Sequence, residues 1–339
     1  MSIRHSKEWV YRIAGSVLAS KAMRTQVNGY FQSRINIVFY HGVWRRDQPQ
    51  MKLFGGIELQ KFADEMRFLS ERFQCLDMNT VLSLDEPPAG KPVACVTFDD
   101  GFDLIGSGAL DAMEAVGVPA TVFVNSMCVN NQKLMWQHAI RAIRGEKGDG
   151  VFLDCLKQVD DSAATLSNAG RQLAVTRRWS NAQRAELTDQ LWEASQMPAM
   201  DQLVEQHHVY LDFEDMRKWI SRGHVVGFHT HSHPFCSSLD TDEMHREILA
   251  PGAQLKAELD VDQMPFAYPF GDRLQGDLEQ QVAESRIFNC LLGTAGSSIW
   301  GTCPTSLERI ETENGLSLEL FGRPILKAMK NRCTGNSKL

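Results

Sequence analysis

Apolar residues recur along the chain at two spacings, and the switches between them mark the elements. Over the first 34 residues Val10, Ile13, Ala14, Val17 and Leu18 return on one helical face. This predicts an amphipathic helix, for which two readings stand: a surface helix packed on the body, or a basic helix lying on a membrane. Residues 35–41 (INIVFYH) form a β-rich run ended by Gly42, a buried strand. Leu59, Phe62, Met66 and Leu69 resume helical spacing, and Pro87 and Pro88 punctuate a turn before the strand Val93–Phe98 (VACVTF). A helix over 103–116 and a strand over 120–125 (ATVFVN) follow. Strand, helix and strand at this spacing read as a βαβ unit with parallel strands.

From about 130 to 212 no β-rich run appears. Ser180 and Gln183 form a capping box ahead of a helix, and Asp212 can cap another that Gly223 stops. The stretch is too long for an ordinary βα connection, so it reads as a helical insertion that either shapes a site or serves stability alone. Strands resume at 224–229, 266–268, 288–292 and 307–310, with helices over 240–259 and 277–285 between them. The alternation predicts a barrel-like or doubly wound sheet with function at the C-terminal ends of its strands.

Composition narrows the class. With 339 residues, 43% hydrophobic and 23% charged, the chain has the make-up of a globular protein with a substantial core. No apolar run approaches the roughly 20 residues of a membrane span. A net charge of -7 argues against a nucleic-acid binder. The charge is uneven: residues 1–34 carry six Lys/Arg and one acid, and residues 323–339 carry five Lys/Arg and none. Basic ends on an acidic body suit contact with an anionic membrane surface. Eight cysteines include no C-x-x-C pair, which removes zinc ribbons and thioredoxin-type motifs and points to reduced, buried thiols. The apolar stretch 9–19 is interrupted by Arg12 and followed by Lys21 and Arg24 where a cleavage site would lie, so the expected location is the cytoplasm, peripheral to the membrane's inner face.

Two clusters at strand ends carry chemistry. In Thr97-Phe98-Asp99-Asp100-Gly101, adjacent carboxylates at the end of an apolar strand are costly unless paired, hydrated or metal-bound. A turn at Gly101 would aim both into the mouth of the sheet, one to bind a cation and one to act as base; alternatively one of them caps the next helix. In His229-Thr230-His231-Ser232-His233-Pro234, three of the ten histidines fall within five residues. Imidazole and carboxylate are the usual ligands of catalytic zinc, and spacing alone does not choose which two imidazoles converge.

These segments resemble a known family. Thr97–Gly101 is similar to the TFDDG motif of the NodB-homology polysaccharide deacetylases, and His229–Pro234 to their H-[ST]-x-x-H-[PS] motif. Ala267-Tyr268-Pro269-Phe270-Gly271 resembles the YPxG form of their third motif, and Tyr40-His41-Gly42-Val43 the YHxV opening of one subgroup; Leu307-Glu308-Arg309-Ile310 extends the likeness. The resemblance implies an α/β fold, an irregular (β/α) barrel over 35–322 interrupted by the insertion. It implies a divalent metal, most often zinc, held by Asp100, His229 and His233, with Asp99 as general base and the backbone N–H of Phe270 on the oxyanion. His231 falls on a variable motif position.

The chain departs from the family in two places. Ala267 stands where an arginine normally orients the catalytic aspartate, and Arg309 is the candidate replacement. The late motif that supplies an acid histidine is not recognisable; His41 is the candidate general acid, with His138 second. The activity implied is N-deacetylation of an amino sugar in a polysaccharide or lipid-linked glycan precursor, the acetylated glycan being the partner. The alternatives are an O-acetyl esterase using the same site and a carbohydrate-binding protein whose site is inactive. No P-loop, G-x-G-x-x-G, H-E-x-x-H, G-x-S-x-G or cytidine-deaminase pattern competes.

Overall fold

The computed structural model describes residues 3–333 apart from 49–50, 52–53, 132, 167–177, 263 and 302–304. The end of the basic tail and part of the insertion therefore lie outside the described residues. Seven runs of chain line up in parallel: β1 (Arg34–Tyr40), β2 (Val93–Phe98), β3 (Ala120–Val124), β4 (Val225–Phe228), β5 (Met264–Ala267), β6 (Phe288–Gly293) and β7 (Ser306–Glu308). A two-residue strand, β8 (Ile310–Glu311), follows β7 after a break at Arg309. β7 pairs with β6 while β8 pairs with Val38 and Phe39 of β1, so one split segment all but closes the sheet into a barrel.

Strands β2, β3 and β5 are buried at every position, as their continuous apolar runs require when both faces are covered. Alternation sorts their side chains. Ile35, Ile37, Cys95, Phe123, Ala267, Leu292 and Leu307 form one cluster. Val38, Tyr40, Val96, Phe98, Val122, Phe228 and Phe266 join the surrounding helices in another.

Several boundaries differ from the sequence reading for local reasons. The first 34 residues form two helices, Ile3–Leu18 and Arg24–Gln32, separated by a tight turn at Lys21–Met23. The helix expected over 103–116 shrinks to Ala109–Glu114, because Asp103 Oδ1 accepts from the N–H groups of Ile105 and Gly106 in a turn and Gly108 is left-handed at φ 81°. The helix expected over 240–259 begins behind an Asp240–Glu243 capping box but widens to a π-type turn over His245–Leu249. Pro251 lacks the N–H that would bond Glu247, and the freed carbonyl takes the N–H of His231 at 2.8 Å.

Among the described residues of 130–212 the long elements are helices: Trp136–Val159, kinked at Gly148, then Asn181–Ala194 behind the Ser180/Gln183 capping box, and Met200–His207. These helices share their own core, in which Trp136, Ile140, Leu156, Leu191, Trp192 and Val204 pack around Phe102 and Tyr210. The insertion is thus seated directly over the loop that follows β2.

Candidate active site

The pairing of β1 and β2 continues one residue beyond the strand, with Asp99 N–H on Tyr40 O at 2.9 Å. The backbone then turns through two left-handed residues, Asp100 at φ 70° and Gly101 at φ 64°. A side chain at 101 would crowd Val124 at 3.1–3.2 Å, so only glycine suits both the dihedral and the contact. That turn sends both carboxylates into the barrel mouth. Thr230, His233 and Phe270 also hold positive φ, so the other two motifs bend at the same level. Left-handed non-glycine residues carry strain, and their gathering around one pocket is the pattern expected of a functional site.

The sequence left the choice of imidazoles open, and the geometry makes it. Asp100 Oδ1 lies 3.4 Å from His233 Nε2 and 3.7 Å from His229 Nε2. All three residues are buried, and their ligand atoms lie within 4.8 Å of one another. His229 Nδ1 is 2.7 Å from Ala267 O, which fixes its proton there and turns the Nε2 lone pair inward. Burial lowers the pKa of both imidazoles, to about 3 for His233, so both are neutral donors at physiological pH. Asp100 Oδ1 is buried without a hydrogen-bond partner. A carboxylate oxygen and two neutral imidazoles converging on one buried point are the donor set of a divalent cation, and the residues fit one. His231 is not in this group; its Nδ1 bonds Ser126 Oγ at 2.9 Å.

Asp99 faces a different partner. Arg309, fully buried at the break between β7 and β8, grips it with both fork nitrogens, Nη1 to Oδ1 at 2.6 Å and Nη2 to Oδ2 at 2.9 Å. The guanidinium lies over Phe39 and Phe123, at 4.7 and 5.1 Å from the ring centroids. Burial alone would raise the Asp99 pKa, but Arg309 and then His229 outweigh it, and the carboxyl is held below its ordinary value. Arg309 therefore supplies, from the break between β7 and β8, the guanidinium that Ala267 lacks.

His41 stands at the end of β1 with its Nδ1 on Glu313 Oε1 at 2.9 Å, and Glu313 also accepts the His41 backbone N–H. Burial lowers the imidazole pKa, but Glu313 reverses that and lifts it to about 9. Nε2 is the nitrogen left over from this pair. His138 is placed otherwise. It is fully buried, with Nε2 3.1 Å from Asp100 Oδ2 and Nδ1 2.7 Å from the Tyr210 hydroxyl. Both nitrogens are committed, which removes it from acid duty and makes it a support for Asp100. Phe270 packs edge-on against His233 at 4.8 Å and stacks on Phe235 at 4.4 Å. Beyond it opens a cleft of about 640 Å³ shared by the insertion and the two loops, lined by Trp179, Arg184, Phe235 and Asp272.

Glu313, Tyr210 and Glu247 escaped the sequence reading. Glu313 and Tyr210 sit in no motif, and their partners lie 272 and 72 positions away. Glu247, whose carboxylate holds Ser232 N and Oγ at 2.9 and 2.8 Å, had one visible signal: the proline four residues on.

With this geometry in hand, the comparisons are decisive at the level of family. The polysaccharide deacetylase family model matches residues 86–285. The chain belongs to the polysaccharide deacetylases. No curated protein matches it. Among solved structures it is similar to the Streptococcus pyogenes deacetylase PplD in complex with acetate, with 17% identity and a TM-score of 0.53 over 87% of this chain and 97% of that one. It is similar too to the BpsB deacetylase domain from Bordetella bronchiseptica, with 12% identity and a TM-score of 0.50 over 83% and 96%. At these identities the likeness establishes the fold, and the deacetylase barrel is the one described above.

Proposed function

We propose that this polysaccharide deacetylase is a metal-dependent N-deacetylase acting on an acetylated amino sugar of a polysaccharide or lipid-linked glycan. The observation that carries the reading is the pairing of two adjacent aspartates with two different tasks. Arg309 keeps Asp99 ionised and fixed beside the pocket, while Asp100 offers an unpaired oxygen to the same pocket as His229 and His233. Zinc is the ion best suited to one carboxylate and two imidazoles, and when bound it acidifies water and polarises the acetyl carbonyl. Asp99 accepts the proton of the attacking water. The Phe270 backbone N–H donates to the oxygen on which charge develops. His41 is charged at neutral pH because Glu313 balances it, and from Nε2 it gives its proton to the departing amine.

An amine leaves poorly without that proton, so a charged His41 favours the N-acetyl substrate over an O-acetyl ester. The intact Asp99–Arg309 pair weighs against an inactive carbohydrate-binding protein. Six cysteines are free among the described residues, five of them buried, which suits a reducing, cytoplasmic setting; no described helix is long and apolar enough to cross a membrane. The test is acetate release from matched N- and O-acetylated oligosaccharides by metal-free and zinc-loaded protein and by Asp99→Asn. Zinc-dependent release from the N-acetyl substrate, reduced about 10²–10⁴-fold in Asp99→Asn, is expected. Faster release from the O-acetyl substrate would transfer the assignment to an esterase.

A further inference from the structure

Most of the exposed large apolar side chains of the described residues gather on one face, and that face is remote in sequence from every motif above. Trp9, Val10, Ile13 and Val17 on the helix Ile3–Leu18 are 46–65% exposed, and Met329 on the helix Arg323–Cys333 is 55% exposed. The two helices lie side by side, and the groove between them is lined only by apolar residues, Leu326 among them. The face is fixed. A side chain at Gly15 would collide with the Ser317 backbone and one at Gly322 with Tyr11 O, so the two glycines allow the chains to pack at backbone contact. The helix therefore buries one side and must present the other.

We infer that this two-helix face is a docking surface for an anionic lipid bilayer. The rim carries the charge such a surface attracts. Lys21, Arg24, Arg323, Lys327 and Lys330 are all exposed on the terminal segments, whose 51 residues hold eleven Lys/Arg and a single acid. Tryptophan and aliphatic side chains within a cationic border have the composition of a helix lying in the headgroup layer. A second copy of the chain is the less suitable occupant, because it would bring an equally basic rim against this one.

The face also touches the loop that carries Glu313. Arg12 Nη1 donates to Asn314 O at 3.3 Å, and the residue before Asn314 is Glu313, the partner of His41. Docking would thus hold the mouth near the bilayer, where a lipid-linked glycan presents its sugar. That last step rests on the deacetylase reading; the lipid binding does not.

Flotation of the full chain with phosphatidylglycerol/phosphatidylcholine vesicles and with phosphatidylcholine alone tests the surface. Binding to the anionic vesicles, at least tenfold weaker without phosphatidylglycerol, is expected. Trp9→Asp/Val17→Asp should lose that binding while keeping its circular dichroism and its acetate release from soluble oligosaccharides. Equal binding by the variant, or no binding by the unaltered chain, overturns the inference. So does a concentration-dependent dimer that the same variant dissolves. Absence of acetate release from any substrate would defeat the deacetylase reading and leave the lipid result standing.

Discussion

Asp99 and Asp100 are adjacent and chemically identical, and what separates their roles is the partner each receives. Asp100 is held by an imidazole: His138 Nε2 meets Oδ2, and Tyr210 fixes the tautomer by taking Nδ1 while its own oxygen accepts the Met135 N–H at 3.1 Å. Oδ1 alone is then left for a cation. Supporting bonds of this kind set ligand orientation, and their loss typically weakens metal binding about 10–100-fold. His138→Ala should raise the zinc dissociation constant by that factor in chelator competition, and His138→Gln, which keeps an N–H donor, should recover part of it. An unchanged constant in His138→Ala would show the bond to be incidental. His41 has its own dependence. Glu313 raises its pKa, so the acid form is complete at low pH and is lost as pH climbs through about 9. Removing the charge with Glu313→Gln lets burial dominate, and the alkaline limb of kcat/KM should move down by at least about one pH unit. A limb that stays in place would take His41 out of proton transfer.

Elements decide whether these residues meet. β4 delivers His229 through the run Val-Val-Gly-Phe, and Gly227 is its constriction: an added Cβ would stand 2.5 Å from the Phe123 ring and 2.7 Å from Pro265 O. Overfilling a packed interior costs about 1–3 kcal/mol, so Gly227→Ala should lower the free energy of urea unfolding by that amount. Loss of less than about 0.5 kcal/mol would mean that the strand yields freely. The strands themselves were legible, because buried parallel strands are written as uninterrupted apolar runs such as VACVTF and ATVFV. The motif-bearing ends were legible too, since Asp99–Asp100 and the triple histidine are expensive groups at the ends of such runs. What stayed hidden depends on long-range closure. Arg309 was legible as the stand-in for the arginine missing at Ala267, but nothing near it announces that the strand breaks there to bring its guanidinium to Asp99, 210 positions away. Nor does the composition of the insertion reveal that His138, backed by Tyr210, reaches Asp100. The shortened helix after Asp103 was missed for a local reason: its Gly106-Ser107-Gly108 turn outweighs the apolar spacing around it.

At the scale of the whole molecule, the three candidate ligands tie separate parts of the barrel together. Asp100 follows β2, His229 and His233 follow β4, and β3 runs between them. Without a cation, Asp100 Oδ1 is a buried acceptor with no donor, a debt that weakens the fold at its most strained level. A ligand that binds only the native state adds RT ln(1 + [L]/Kd), about 4 kcal/mol at a thousandfold excess over Kd. Saturating zinc should accordingly raise the melting temperature of the chelator-treated protein by about 5–10 °C in differential scanning calorimetry. His229→Ala/His233→Ala leaves Asp100 as a lone ligand and should abolish the shift. If the unaltered chain and the double variant rise together, the ion is stabilising some other part of the surface, and the proposed centre does not hold it.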